Sequence, residues 1–221
     1  MTILVIALLI CVLIVTTLIA YVGRKTRKRR ERNGDGPEKS DILISLAIAL
    51  VATFVGVFAA FNLSNMQVER SERENLGSLI GQSIDELNLE VTHLEGLQER
   101  IKDMEEQESI SMLNLNPIED VVSVEFLISN QMFPKYCTQM GTLNMLRLVR
   151  DKEKMREGIN NAEREFEHRL FSIDRYREYI EDLRDLLVLE RGYVNREISF
   201  REVAEGLDKL HYVDTRLVSS K

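Results

Sequence analysis

Seven of the nine residues from 24 to 32 are basic (Arg24, Lys25, Arg27, Lys28, Arg29, Arg30 and Arg32), and an uncharged apolar run lies on either side. The runs, residues 3–22 and 42–63, are each long enough as a helix to cross a hydrocarbon core of about 30 Å. The sequence therefore predicts an antiparallel two-helix transmembrane hairpin over residues 1–63, with helices 3–22 and 41–63 and a basic linker 23–40. By the positive-inside rule the linker is cytoplasmic, and everything after residue 63 faces the other side. Nothing basic precedes Ile3, and the basic cluster follows the run. That order is the reverse of a cleaved signal peptide, so the first run reads as a retained helix.

The linker contains Asn33-Gly34-Asp35-Gly36-Pro37, a strong turn sequence, and Ser40 is placed to cap the second helix. That helix carries Ser45, Ala49, Ala52, Gly56 and Ala59 at spacings of three and four, which puts all five on one side. Small residues in a stripe let helix backbones approach closely in lipid. The stripe faces either the first helix of the same chain or a second copy. Neither run contains a charged residue or a histidine, so neither suggests an ion path.

Charge divides the chain. Residues 1–63 hold eight basic and four acidic residues, whereas 64–221 hold 21 basic and 32 acidic, a net of −11. An acidic soluble part disfavours nucleic acid as a partner, since phosphate binding needs a basic face. The basic linker fits a topology determinant lying against lipid head groups. Cys137 is the single cysteine beyond the first run, so no intramolecular disulfide staples the soluble part.

Helical periodicity dominates residues 64–221, and the expected class is all-α, a helical bundle after the membrane hairpin. The residues Leu76, Ile80, Ile84, Leu87, Val91, Leu94, Leu97, Ile101 and Met104 share one face of a helix over about 66–106. A phase slip at Leu97, together with Gly77, Gly81 and Gly96, favours a bundle wall over a long intermolecular coiled coil. Further helices are expected at about 117–132, 135–149, 152–190 and 199–210. Asn116-Pro117 marks the start of the first of these, and Ser199 with Glu202 forms a capping-box spacing for the last. Residues 109–116 read as a connection. Tyr136, Met140, Leu143 and Leu146 are expected inward, and the aromatics Phe126, Phe133, Phe166, Phe171, Tyr176 and Tyr179 are expected in the core and at helix junctions.

Chemistry-bearing motifs are sparse. His93, His168 and His211 lack a second ligand at helical spacing, so no metal site is expected, and no phosphate-cradling glycine loop occurs. Cys137 reads as a small apolar filler. No cofactor, catalytic residue or small-molecule substrate is expected, and the chain does not read as an enzyme.

The step Phe61-Asn62-Leu63-Ser64-Asn65-Met66-Gln67-Val68-Glu69-Arg70 leads from a membrane helix into an acidic helical region. It resembles a group of small uncharacterised bacterial membrane proteins, whose single helix ends in an Asn-Trp-Asn-Glu-like step before a helical C-terminal domain. This chain lacks the Trp and has an additional N-terminal run. The layout is also similar to two-helix membrane effectors of bacterial anti-phage operons. Those resemblances imply a bacterial inner-membrane protein and supply no catalytic residues. Two functions stay open: a membrane-anchored interaction or sensing protein that binds a protein partner or itself, and an oligomeric membrane-disrupting or pore-forming effector.

Overall fold

The computed structural model describes residues 39–161 and 165–213, together with Thr17, Ala20, Tyr21, Gly23 and Arg24. Those five isolated positions are helical. The remainder of the predicted first membrane helix and linker residues 25–38 lie outside the described residues, so the hairpin itself is not seen. The fold is all-α, with no strand among the described residues. Among the described residues from Lys39 onward, seven helices follow one another: α1 Lys39–Lys102, α2 Glu106–Leu115, α3 Val122–Ser129, α4 Met132–Tyr136, α5 Gln139–Asn160, α6 Phe166–Val194 and α7 Phe200–Leu207. The chain divides into two compact units, Met1–Glu69 and Arg70–Lys221, with the division inside α1.

In the first unit, the α1 segment holds an 18-residue window of mean hydropathy 2.3, none of it buried. Among the described residues, one helix is thus long and apolar enough to cross a membrane. Thr53 Oγ1 donates to the Ala49 carbonyl at 2.8 Å, and Asn62 Nδ2 donates to the Phe58 carbonyl at 2.8 Å. These two polar side chains return to their own helix.

In the second unit, the stripe from Leu76 to Ile101 is buried along its length, while Met104 lies beyond the helix end and is exposed. α6 runs antiparallel to it: Arg73 Nη1 donates to the Val194 carbonyl at 3.2 Å, and Gln98 Nε2 to Asp174 at 2.5 Å. α5 is antiparallel to α6 as well. Thr138 at its start meets Glu190, and Ile159 at its end accepts Arg169 Nε at 2.8 Å. The short helices α3 and α4 lean on α1, where Glu86 accepts the Ser123 N–H at 3.2 Å and Glu72 accepts Lys135 Nζ at 2.5 Å. α7 packs on α6 behind the expected capping box of Ser199 and Glu202.

α6 ends in a Schellman turn. The Glu197 N–H bonds the Gly192 carbonyl at 2.8 Å, and the Arg196 N–H bonds Tyr193 at 3.0 Å. Arg196 takes the left-handed conformation (φ 63°) usually given to glycine at that position.

Several boundaries differ from the sequence reading, each for a local reason. Residues 106–115 are helical and not a connection. The acidic run Glu105–Glu108 opens a helix, where the dipole favours carboxylates. Asn116 closes that helix and does not cap the next, its Nδ2 donating to the Met112 carbonyl at 2.9 Å. α3 starts only at Val122, because Asn160 takes both the N–H and the carbonyl of Ile118 at 2.9 Å and holds the approach extended. Pro134 sits in the first turn of α4, where no intrahelical N–H is needed, and does not stop a helix there. The break expected near residue 150 falls after Asn160.

Candidate functional site

The sequence-selected membrane residues fall in the first unit. Ser45, Ala49, Ala52, Gly56 and Ala59 are all exposed, and a Cβ added at Gly56 would meet nothing within 4 Å. Of the basic cluster only Arg24 is described, and it is exposed. Lys25, Arg27, Lys28, Arg29, Arg30 and Arg32 lie outside the described residues.

The second unit contains a buried polar centre that the sequence reading did not find. Lys152 on α5 is 1% exposed, and its ammonium bonds Asp120 Oδ1 at 2.5 Å. The same oxygen accepts the Val121 N–H at 2.9 Å. Glu125 on α3 has a carboxylate oxygen within 4.8 Å of one of Asp120's, and the neighbouring Asp120 carboxyl holds it above the ordinary glutamate range. Burial pushes Asp120 upward, but Lys152, Glu125 and Arg156 outweigh it and keep the carboxyl low. Glu153 pairs with Arg156 one helical turn along.

Tyr176 on α6 is fully buried, its hydroxyl without a hydrogen-bond partner. Burial raises it, and the charges of Glu90, Asp120, Arg156 and Glu153 act on it from around. Glu90 on α1 is also raised by burial. It stands 3.7 Å from His93, and its Oε1 has no partner. α1, α3, α5 and α6 thus each carry an ionisable group that acts electrostatically on this set.

A second buried carboxyl closes the start of α5. Glu190 accepts the Thr138 N–H at 2.8 Å and the Thr138 hydroxyl at 2.5 Å, while Thr138 Oγ1 accepts the Gly141 N–H at 2.9 Å and caps the helix. Burial pushes Glu190 above the ordinary range despite those donors. Cys137 beside it is buried, and burial together with Glu190 pushes the thiol far upward. That environment is the opposite of what an activated thiolate needs, in keeping with a packing role.

The anchoring of Gly141 against Glu190 also sets the rotation of α5. Met140, Asn144, Met145, Leu148 and Lys152 face inward, whereas Leu143 and Leu146, expected in the core, are exposed. Phe126 and Phe171 are likewise 60% exposed and not at helix junctions. Elsewhere a groove of about 780 Å³ has Ile101, Met104 and Leu170 in its lining and Glu99, Glu106 and Asp174 among its acidic residues.

Set against protein-family models, curated proteins and solved structures, the chain matches none of them.

Proposed function

We propose that this chain is a membrane-anchored helical interaction or sensing protein, held in a bacterial inner membrane by a two-helix hairpin, with its acidic helical bundle on the extracytoplasmic side. The observation that carries the reading is the apolar stretch of α1. Its 18-residue window of mean hydropathy 2.3 buries nothing within the molecule. Such a surface in water would drive aggregation, so a bilayer is its natural cover. The seven basic residues between 24 and 32 support the orientation. The acidic groove by Ile101 and Leu170 supports a protein partner that brings apolar and basic side chains together.

The exposed stripe Ser45, Ala49, Ala52, Gly56 and Ala59 favours a second reading, an oligomeric membrane-disrupting effector, in which α1 meets α1 of another copy. Both readings are tested in cells. The chain should resist alkaline extraction from membranes, and a cysteine at the exposed Ser111 (Ser111→Cys) should react with a membrane-impermeant thiol reagent before lysis. Recovery in the soluble fraction overturns both readings, and labelling only after lysis overturns the orientation. Depolarisation of expressing cells would favour the effector.

A further inference from the structure

The groove beside Ile101 and Leu170 belongs to the second unit, where the end of α1, the start of α2 and the first turns of α6 meet. We propose that it seats a basic amphipathic helix of another protein. The apolar side chains of that helix enter the groove, and its Lys and Arg residues meet the carboxylates along the rim. The inference rests on the interaction reading given above, and it names the partner's chemistry and a residue that selects it.

Shape supplies the first argument. The volume of about 780 Å³ lies within the roughly 300–1,000 Å³ of clefts that hold ligands. Its apolar lining is Ile101, Met104, Phe166 and Leu170. Phe166 and Leu170 are half-buried and Met104 is 39% exposed, so apolar surface is left open to solvent there. Phe166, Leu170 and Asp174 follow one another at steps of four along α6, a length of about 12 Å at 1.5 Å per residue. Apolar anchors at i, i+4 and i+7 of a docked helix span about 10.5 Å, which matches. A peptide that pairs through its backbone needs a sheet edge instead, and no strand occurs among the described residues.

Charge supplies the second. Glu99, Glu106, Glu167 and Asp174 line the groove together with Lys102. Among the described residues, no ion pair joins Glu99, Glu106 or Glu167 to a cation, whereas Glu72, Asp120 and Glu153 elsewhere in the unit are paired with Lys135, Lys152 and Arg156. Glu106 and Glu167 lie in first helical turns, where the dipole already favours them. Glu99 does not. It lies in the last turn of α1, where the dipole disfavours a carboxylate, and Glu95 one turn earlier adds a like charge. The fold gains no ion pair from Glu99, while a cationic partner would.

The same charge identifies the occupant. An acidic cleft with apolar walls focuses its field and draws cations in. A second copy is a poor match, because its residues 64–221 carry a net charge of −11 and would meet like charge at the rim. A separate protein with a basic, apolar helix answers both the walls and the rim.

The test pans the full chain in detergent against a displayed library of short helices with one face randomised, and the selected helices are synthesised for fluorescence anisotropy. The selected faces should combine Lys or Arg with Leu, Ile or Phe at i, i+4 and i+7, and should bind less tightly as salt rises. Glu99→Lys should weaken their binding about tenfold or more. The same variant should unfold at a temperature no lower than the wild type, because a cation suits the end of α1. Met104→Ala, at an exposed position, should weaken binding several-fold. No enrichment of basic, apolar faces overturns the proposal, and so does a less stable Glu99→Lys, which would make that carboxylate part of the fold. Selected helices that bind the wild type and both variants equally overturn the groove and leave the interaction reading with a surface elsewhere. A change in the chain's own oligomeric size on Glu99→Lys overturns it in favour of a second copy. Failure of the membrane anchor shows separately, as recovery in the soluble fraction, and leaves these binding results unchanged.

Discussion

The Glu190 carboxyl fills the space that a side chain at Gly141 would occupy, since a Cβ built there would overlap its oxygen and its carboxyl carbon. The carboxyl cannot step aside, because Thr138 holds it through both a backbone N–H and a hydroxyl. Contact between α5 and α6 at this point therefore depends on one residue without a side chain.

Gly141→Ala should destabilise the second unit by about 2–4 kcal/mol, combining overpacking with a displaced buried hydrogen-bond acceptor. Gly96 is the control. A Cβ there meets nothing within 4 Å, so Gly96→Ala should gain about 0.5–1 kcal/mol from helix propensity alone. Denaturant unfolding of the detergent-solubilised chain by far-UV circular dichroism measures both. Similar signs for the two variants would mean that Glu190 does not occupy the place described.

Glu190 also gives a pH dependence with a definite sign. Its folded-state pKa is raised by burial, so the folded chain binds a proton that the unfolded chain has already released. Its contribution is complete below the ordinary glutamate pKa and is lost as pH rises from there through the raised folded value. Glu190→Gln keeps the shape without titrating. The stability of the wild type relative to this variant should fall as pH rises above about 4.5, as read from urea midpoints across a pH series. Parallel curves would place the proton elsewhere.

Gly56→Leu addresses the membrane stripe. It adds a branched side chain where helix backbones are proposed to touch, so self-association in detergent or hairpin stability should drop. Leu50→Ala, aimed at the opposite side of α1, should do much less. Size analysis and thermal stability at matched expression compare the two. Indistinguishable variants would mean that the stripe faces lipid, and the effector reading would lose its support.

Amphipathic periodicity was sufficient for the wall of α1. Leu76 to Ile101 repeat at helical spacing, and burial follows that pattern because a long helix can hide only one side. Local chemistry was equally legible at Ser199 and Glu202, whose capping box closes over three residues. The boundaries around residue 117 were not, because Asn160, 42 residues away, takes the Ile118 backbone from any helix that Asn116-Pro117 would start.

The inward side of α5 was also decided elsewhere. Leu143 and Leu146 are more apolar than Asn144 and Lys152, yet the polar pair is buried. Glu190 against Gly141 fixes the rotation, and Asp120 neutralises the ammonium that the rotation turns inward. Sequence alone determined the all-helical class, the charge division and the two long apolar runs, since these follow from composition and short-range spacing. Only the tertiary structure brought Asp120, Glu125, Glu153 and Lys152 together. A buried charge is stable only beside partners, and those partners come from separate helices whose meeting no local pattern encodes.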